Sequence, residues 1–172
     1  MSKTINIDIF DPASIQAAVR EIEAYKKWVI EKTNTLAERL AQYGLSRVQV
    51  GYASAIYDRE KTGRDVTVTV EERGTGQYAI VAGGHDVLFL EFGSGIKYGA
   101  GHPLDSKLGM GPGTYPGQTH VPEPGYWWYK GEDGKSHYSV GNAPSMVMYL
   151  TSMELETEVE RIAKEVFSTD RH

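Results

Sequence analysis

Four of the five histidines, His85, His102, His120 and His137, are spread along the chain's interior, and Asp86 and Asp105 lie close to two of them. Neutral imidazole binds zinc well, so loops that brought these side chains together would support metal- or His-assisted hydrolysis. No His-Glu-x-x-His or other close ligand pair occurs. Ser94 stands between Gly93 and Gly95, half of a nucleophile elbow, but the Gly-x-Ser-x-Gly spacing is absent. The run Gly93-Ser-Gly95-Ile-Lys-Tyr98 departs from the dinucleotide fingerprint, because Tyr98 replaces the third glycine and Pro103 follows where a helix should start. Gly134-Lys135-Ser136 occurs, but Tyr129 stands where a Walker-type phosphate loop needs its first glycine, so there is no such loop. The absence of cysteine excludes a thiol nucleophile, a disulfide scaffold, and Cys-zinc or iron–sulfur sites. No residue is therefore assigned a catalytic, cofactor-binding or metal-binding role.

The aromatic residues suggest recognition instead. Tyr126–Trp127–Trp128–Tyr129 forms a dense amphipathic cluster, and Tyr115 lies in the same Pro/Gly-rich stretch. Such side chains bury large areas at small entropic cost and dominate interfaces. These five residues are the interface candidates. Stacking on sugars is the alternative, which would make the chain a glycan-binding module.

The elements that position these residues are read from periodicity. Asp11 and Pro12 suit the cap and first position of a helix. Ile15, Val19, Ile22, Tyr25, Val29, Leu36, Leu40 and Tyr43 form one apolar stripe. The predicted helix runs from Ala13 to Tyr43, about 46 Å, and Gly44 ends it. Its length leaves room for part of it to pack on another subunit. Val48, Val50, Tyr52 and Ile56 then alternate as a strand, and Asp58–Asp65 reads as a charged hairpin tip. Val66, Val68 and Val70 make a second strand, Gly74–Gly76 a turn, and Tyr78, Ile80 and Ala82 a third. Together they predict an antiparallel meander. Val87–Phe92 is expected to be a short helix capped by Asp86. A last helix, capped by Asn142 or Ser145, carries Leu155, Val159, Ile162 and Val166 at helical spacing.

Between Gly93 and Gly141 the composition changes. These 49 residues hold 12 of the 19 glycines, 5 of the 7 prolines and 7 of the 18 aromatics. A structureless loop of that length is unusual in a compact domain, and disorder is normally poor in aromatics. The segment is expected to be a locally packed insertion that orders against a partner. The chain of 172 residues is one α+β domain by this reading, with core 1–96 and 142–172 and insertion 97–141. Net charge is −5, unlike a basic nucleic-acid coat. Residues 142–172 carry three Lys/Arg against six Asp/Glu. Met1–Phe10 lacks the features of a signal peptide, and no window approaches the ~18 uninterrupted apolar residues of a membrane span. Cytoplasmic synthesis is expected.

One short run says more. Phe89-Leu90-Glu91-Phe92-Gly93-Ser94-Gly95 resembles the Val/Ile-Glu-Phe-Gly-Thr signature of a tail-component family of long-tailed phages, the head–tail joining or tail-completion neck proteins. The element order is similar: amphipathic helix, β-meander, Glu-Phe-Gly element, loop and C-terminal helix. Gly109–His120, Trp127–Tyr129 and Asn142-Ala-Pro144 also look like segments of prophage members. The insertion is longer than the family's short loop. The resemblance implies a structural virion protein, not an enzyme, that forms a ring in the host cytoplasm and joins the neck or tail of the virion. Its partners would be further copies of itself and neighbouring neck or tail proteins, with no membrane and no cofactor. Glu91, Phe92, Gly93 and Gly95 would be structural, with Phe92 anchored in the core. Glu91 is expected to pair across a subunit boundary or to cap a backbone turn. The acidic last helix would face a channel that passes DNA without binding it.

Overall fold

A computed structural model describes residues 4–57, 61–62, 65–95, 101–110, 125–131 and 133–168. Tyr115, His120 and residues 58–60 and 63–64 of the charged tip lie outside the described residues.

The first helix, α1, runs over Pro12–Ser54, 43 residues and about 64 Å. Asp11 caps it, its carboxylate accepting the amides of Ala13 at 3.0 Å and Ser14 at 3.2 Å, and Pro12 opens the first turn. The helix does not end at Gly44. It continues for ten residues through the segment expected to be the first strand. Val48, Tyr52 and Ala55 are buried at spacings of four and three, a helical pattern. Gly44 is a point of close approach. Ile80 and Leu155 press their δ-methyl groups onto it, leaving no room for a β-carbon in their present rotamers.

The meander is correspondingly reduced. A short pair, β1 (Ile56–Tyr57) and β2 (Lys61–Thr62), follows α1. Then β3 (Thr67–Gly74) pairs antiparallel with β4 (Gln77–Gly83). Their register sets Val68 opposite Ala82 and Val70 opposite Ile80, so the apolar positions share one face. That face meets the C-terminal half of α1. The helix α2 (Val87–Phe92) forms as expected, but Asp86 makes no capping bond. A turn of 3₁₀ helix at Ser106–Leu108 and the hairpin β5 (Trp127–Lys130)–β6 (Ser136–Ser139) lie within the insertion. The last helix, α3 (Val147–Ser168), lies antiparallel along α1. The fold is α+β.

Val48, Tyr52, Ala55, Leu90 and Val147 form the core, with Val66, Val68, Ile80, Ala82, Val87 and Met148 packed around them. Leu90 is the side chain of the Glu-Phe-Gly element that enters it. Phe92 is only half-buried and lies tilted against His102 at 4.4 Å between ring centres, so it is not the core anchor.

Candidate functional site

The Glu-Phe-Gly element lies where α2 meets the start of α3. Helix starts leave four amides unpaired, and α3 has no capping side chain next to it in sequence. Glu91 supplies one from a distance of 57 residues. Its Oε2 accepts the Met148 amide and its Oε1 the Tyr149 amide, both at 2.9 Å. These are the second and third residues of α3, the pair that a local N-cap would satisfy. The negative charge also suits the positive end of the helix dipole.

Two side chains complete the ring of donors. The Tyr52 hydroxyl donates to Oε2 at 3.2 Å, and His102 Nε2 lies 3.3 Å from Oε1. His102 Nδ1 accepts the Leu104 amide at 3.0 Å, which places the ring hydrogen on Nε2 and makes it the donor to Glu91. The Asp105 carboxylate accepts the His102 amide at 3.1 Å, and the His102 ring packs edge-on against Tyr149. Glu91 and His102 are both buried. Burial pushes the Tyr52 phenol well above its ordinary pKa, and the adjacent Glu91 carboxylate adds to the shift.

Backbone bonds tie the same element to the approach to α3. Ser145 donates to the Leu90 carbonyl at 2.6 Å, and Met146 to that of Glu91 at 3.3 Å. Ser94 and Asn142 exchange backbone bonds in both directions, at 2.9 and 3.1 Å. Gly93 makes the tight exit at φ 77°, ψ 178°, a region that only glycine populates readily. A β-carbon there would come within 2.7 Å of the Asn142 carbonyl oxygen. Met146 is held at φ 52°, and its carbonyl accepts the Leu150 amide. Asn142 and Ser145, the caps expected from local sequence, are engaged by Ser94 and Leu90 instead.

This cluster has a histidine, a carboxylate and a phenol, yet its chemistry is inward. Both Glu91 oxygens carry two donors, and both His102 nitrogens are used. The other described histidines pair separately, His85 with Asp86 at 3.2 Å and His137 with Asp133 at 2.9 Å. The His137 hydrogen bond holds Asp133 below the usual carboxylate range, with the Lys135 amide adding to it. Among the described residues no three His, Asp or Glu side chains converge on one point.

Strand alternation divides the aromatic quartet. Tyr126 and Trp128 share a face of the β5–β6 hairpin with Tyr138, at 5.3 and 5.4 Å between ring centres, and all three are exposed. Tyr129 lies on the opposite face, stacked on His137. The Tyr138 ring is tilted 36° from Tyr126 and 66° from Trp128, so the exposed face is ridged.

Sequence reasoning missed two features. One is an ion-paired clamp between α1 and α3. Glu154 accepts from the Tyr43 hydroxyl at 2.6 Å, from Arg47 Nε at 2.8 Å and from the Arg47 terminal nitrogen. Arg47 holds the Glu154 carboxyl below the usual carboxylate range, with Tyr43 contributing. The other is a groove of about 700 Å³ between the end of α1 and the start of α3, floored by Val50, Val147, Leu150 and Pro144. No local spacing signals either, because each joins residues about a hundred positions apart.

Comparison of the chain with protein-family models, with curated proteins and with solved structures finds no match. No helix among the described residues is long and apolar enough to cross a membrane.

Proposed function

We propose that the chain is a structural assembly subunit of a long-tailed phage, acting at the head–tail connector or tail-completion stage and associating with copies of itself. The observation that carries this is Glu91. The run that resembles the neck-protein signature is the pin of this fold, joining α1, α2 and α3 through one buried carboxylate. Such a motif is needed for shape, and shape is what an assembly subunit contributes.

The exposed face of Tyr126, Trp128 and Tyr138 is a contact surface of the subunit, fitted to a protein neighbour. A sugar ring stacks best on a flat platform, and these rings are inclined to one another. The acidic character of α3 is mostly spent within the chain. Glu154, Glu158, Glu160 and Glu165 sit in ion pairs with Arg47, Arg161, Lys164 and Arg39. A repulsive channel lining therefore forms no part of the proposal.

The test is deletion of the gene from the genome that encodes it, followed by electron microscopy of the particles released. Filled heads and separate tails are expected. Joined particles with an unchanged titre, or a genome with no head and tail genes around this one, overturn the proposal.

A further inference from the structure

The antiparallel helix pair is unequal. α3 ends at Ser168, level with Trp28 of α1, whose indole packs edge-on against Phe167 at 5.7 Å between ring centres. Residues 12–27 of α1 therefore continue for about 24 Å past the end of α3. They carry Ile15, Val19, Ile22 and Tyr25, spaced four, three and three, on the face that further along packs against β3, β4 and α3. These four side chains are 42–60% exposed, although Ala18 among them is buried. A helix of mixed composition and this length is marginal in water without a packed face. Apart from Tyr25, which stacks on Trp28 at 5.6 Å between ring centres, the stripe is a ridge that outruns its partners among the described residues.

At the other end of the same helix pair lies the groove between α1 and α3. Val50 is 66% exposed and Leu150 56% exposed along it, and Ala143 and Pro144 close one side. The rim charges, Arg47 and Glu154, already satisfy each other, so an apolar occupant strands no charge. One molecule thus presents an apolar ridge at one end and an apolar groove at the opposite end.

We infer that the α1 ridge, Ile15, Val19, Ile22 and Tyr25, seats in the Val50–Leu150 groove of a second copy of this chain. Helix-in-groove contacts use this spacing of anchors. Half-exposed apolar side chains present on the order of 100 Å² each, so the ridge with exposed Ile9 and Phe10 offers on the order of 600 Å², the larger part of the ~800 Å² per partner of a standard interface. Ridge and groove are different surfaces, so the contact is head-to-tail and repeats from copy to copy until it closes. The inference deepens the assembly proposal and rests on it for the choice of a second copy as occupant.

The full chain is compared by light scattering and sedimentation with Ile22→Glu in the ridge and Val50→Lys in the groove. Both sites are exposed, Glu at 22 gains Lys26 one turn on, and Lys at 50 lies near the negative end of α1. Circular dichroism and melting temperature verify that each variant folds. Each variant alone is expected to weaken association by about 30-fold or more, the scale of an interface hot spot. Mixed together they are expected to form a one-to-one pair that grows no further, because one intact ridge meets one intact groove. A Val50→Lys chain that assembles like the wild type, a mixture that forms no pair, or a wild-type chain monomeric at every concentration overturns the inference. These outcomes leave the gene-deletion result untouched, so the contact and the phage role fail separately.

Discussion

Removing the Glu91 carboxylate orphans four donors at once: two helix amides, a phenol and an imidazole N–H. Buried donors left unpaired cost about 1–3 kcal/mol each before relaxation, so Glu91→Ala is expected to destabilise by about 3 kcal/mol. Glu91→Gln keeps the shape but must turn an NH₂ toward a donor, at about 2 kcal/mol. Tyr52→Phe loses one bond and keeps the packing, at about 1 kcal/mol. Urea midpoints should fall in that order, and equal midpoints for all three would show that the carboxylate is not the shared acceptor. Alkali supplies a second check. Because the folded-state pKa of Tyr52 is raised, its contribution is complete below the ordinary phenol value of 10.0 and declines as pH rises above it. Wild-type stability is therefore expected to fall more steeply above that pH than that of Tyr52→Phe. The sequence exposed Glu91 as an anomaly, since a carboxylate in the run Val87–Phe92 must find a donor. It could not name the donors, because Met148, Tyr149 and Tyr52 are remote in sequence.

At the scale of elements, glycine was the ambiguous letter. Gly44 followed an apolar stripe and matched the pattern of a helix stop, whereas its bare Cα is where Ile80 and Leu155 close on α1. Val48, Val50 and Tyr52 are equally ambiguous, since spacings of two and four satisfy a strand and Val48 with Tyr52 also satisfies a helix. By contrast, Asp11–Pro12 and the alternating valines of β3 were legible, because their signals are local. Two glycines separate the two meanings. Gly44→Ala is expected to stay within about 1 kcal/mol of wild type, because the helix gains propensity and only side-chain tips must move. Gly93→Ala is expected to cost about 2 kcal/mol or more, because the obstacle is backbone and φ is positive. Thermal melts compare them directly, and a Gly44→Ala loss as large as that of Gly93→Ala would refute the distinction. The α1–α3 clamp is tested by acid. The depressed pKa of Glu154 means that its contribution is present above the ordinary carboxylate range and is lost as pH falls through the lowered value. Arg47→Met should move the Glu154 titration, followed by carboxyl carbon NMR, back up toward the ordinary range.

Over the whole molecule, packing is distributed unevenly along α1, and this makes the last prediction. The half of α1 that holds Ala41, Gly44, Val48 and Tyr52 is buried against α3, β3 and β4, while residues 12–27 carry an open apolar stripe. Amide exchange reports local opening, and opening is easiest where few buried contacts hold the helix. In the monomer, amides of residues 16–27 are expected to exchange much faster than those of residues 41–54, although both belong to one continuous helix. In the assembled state the first group should gain protection and the second should change little, because its partners lie within the chain. Protection should also rise along the Leu150 turn of α3, where the neighbour's ridge would lie. The Ile22→Glu chain supplies the reference, since it should keep the monomer pattern at concentrations where the wild type is protected. Residues 12–27 that remained equally open in monomer and assembly would place the subunit contact elsewhere, with the aromatic face of the β5–β6 hairpin the next surface to examine.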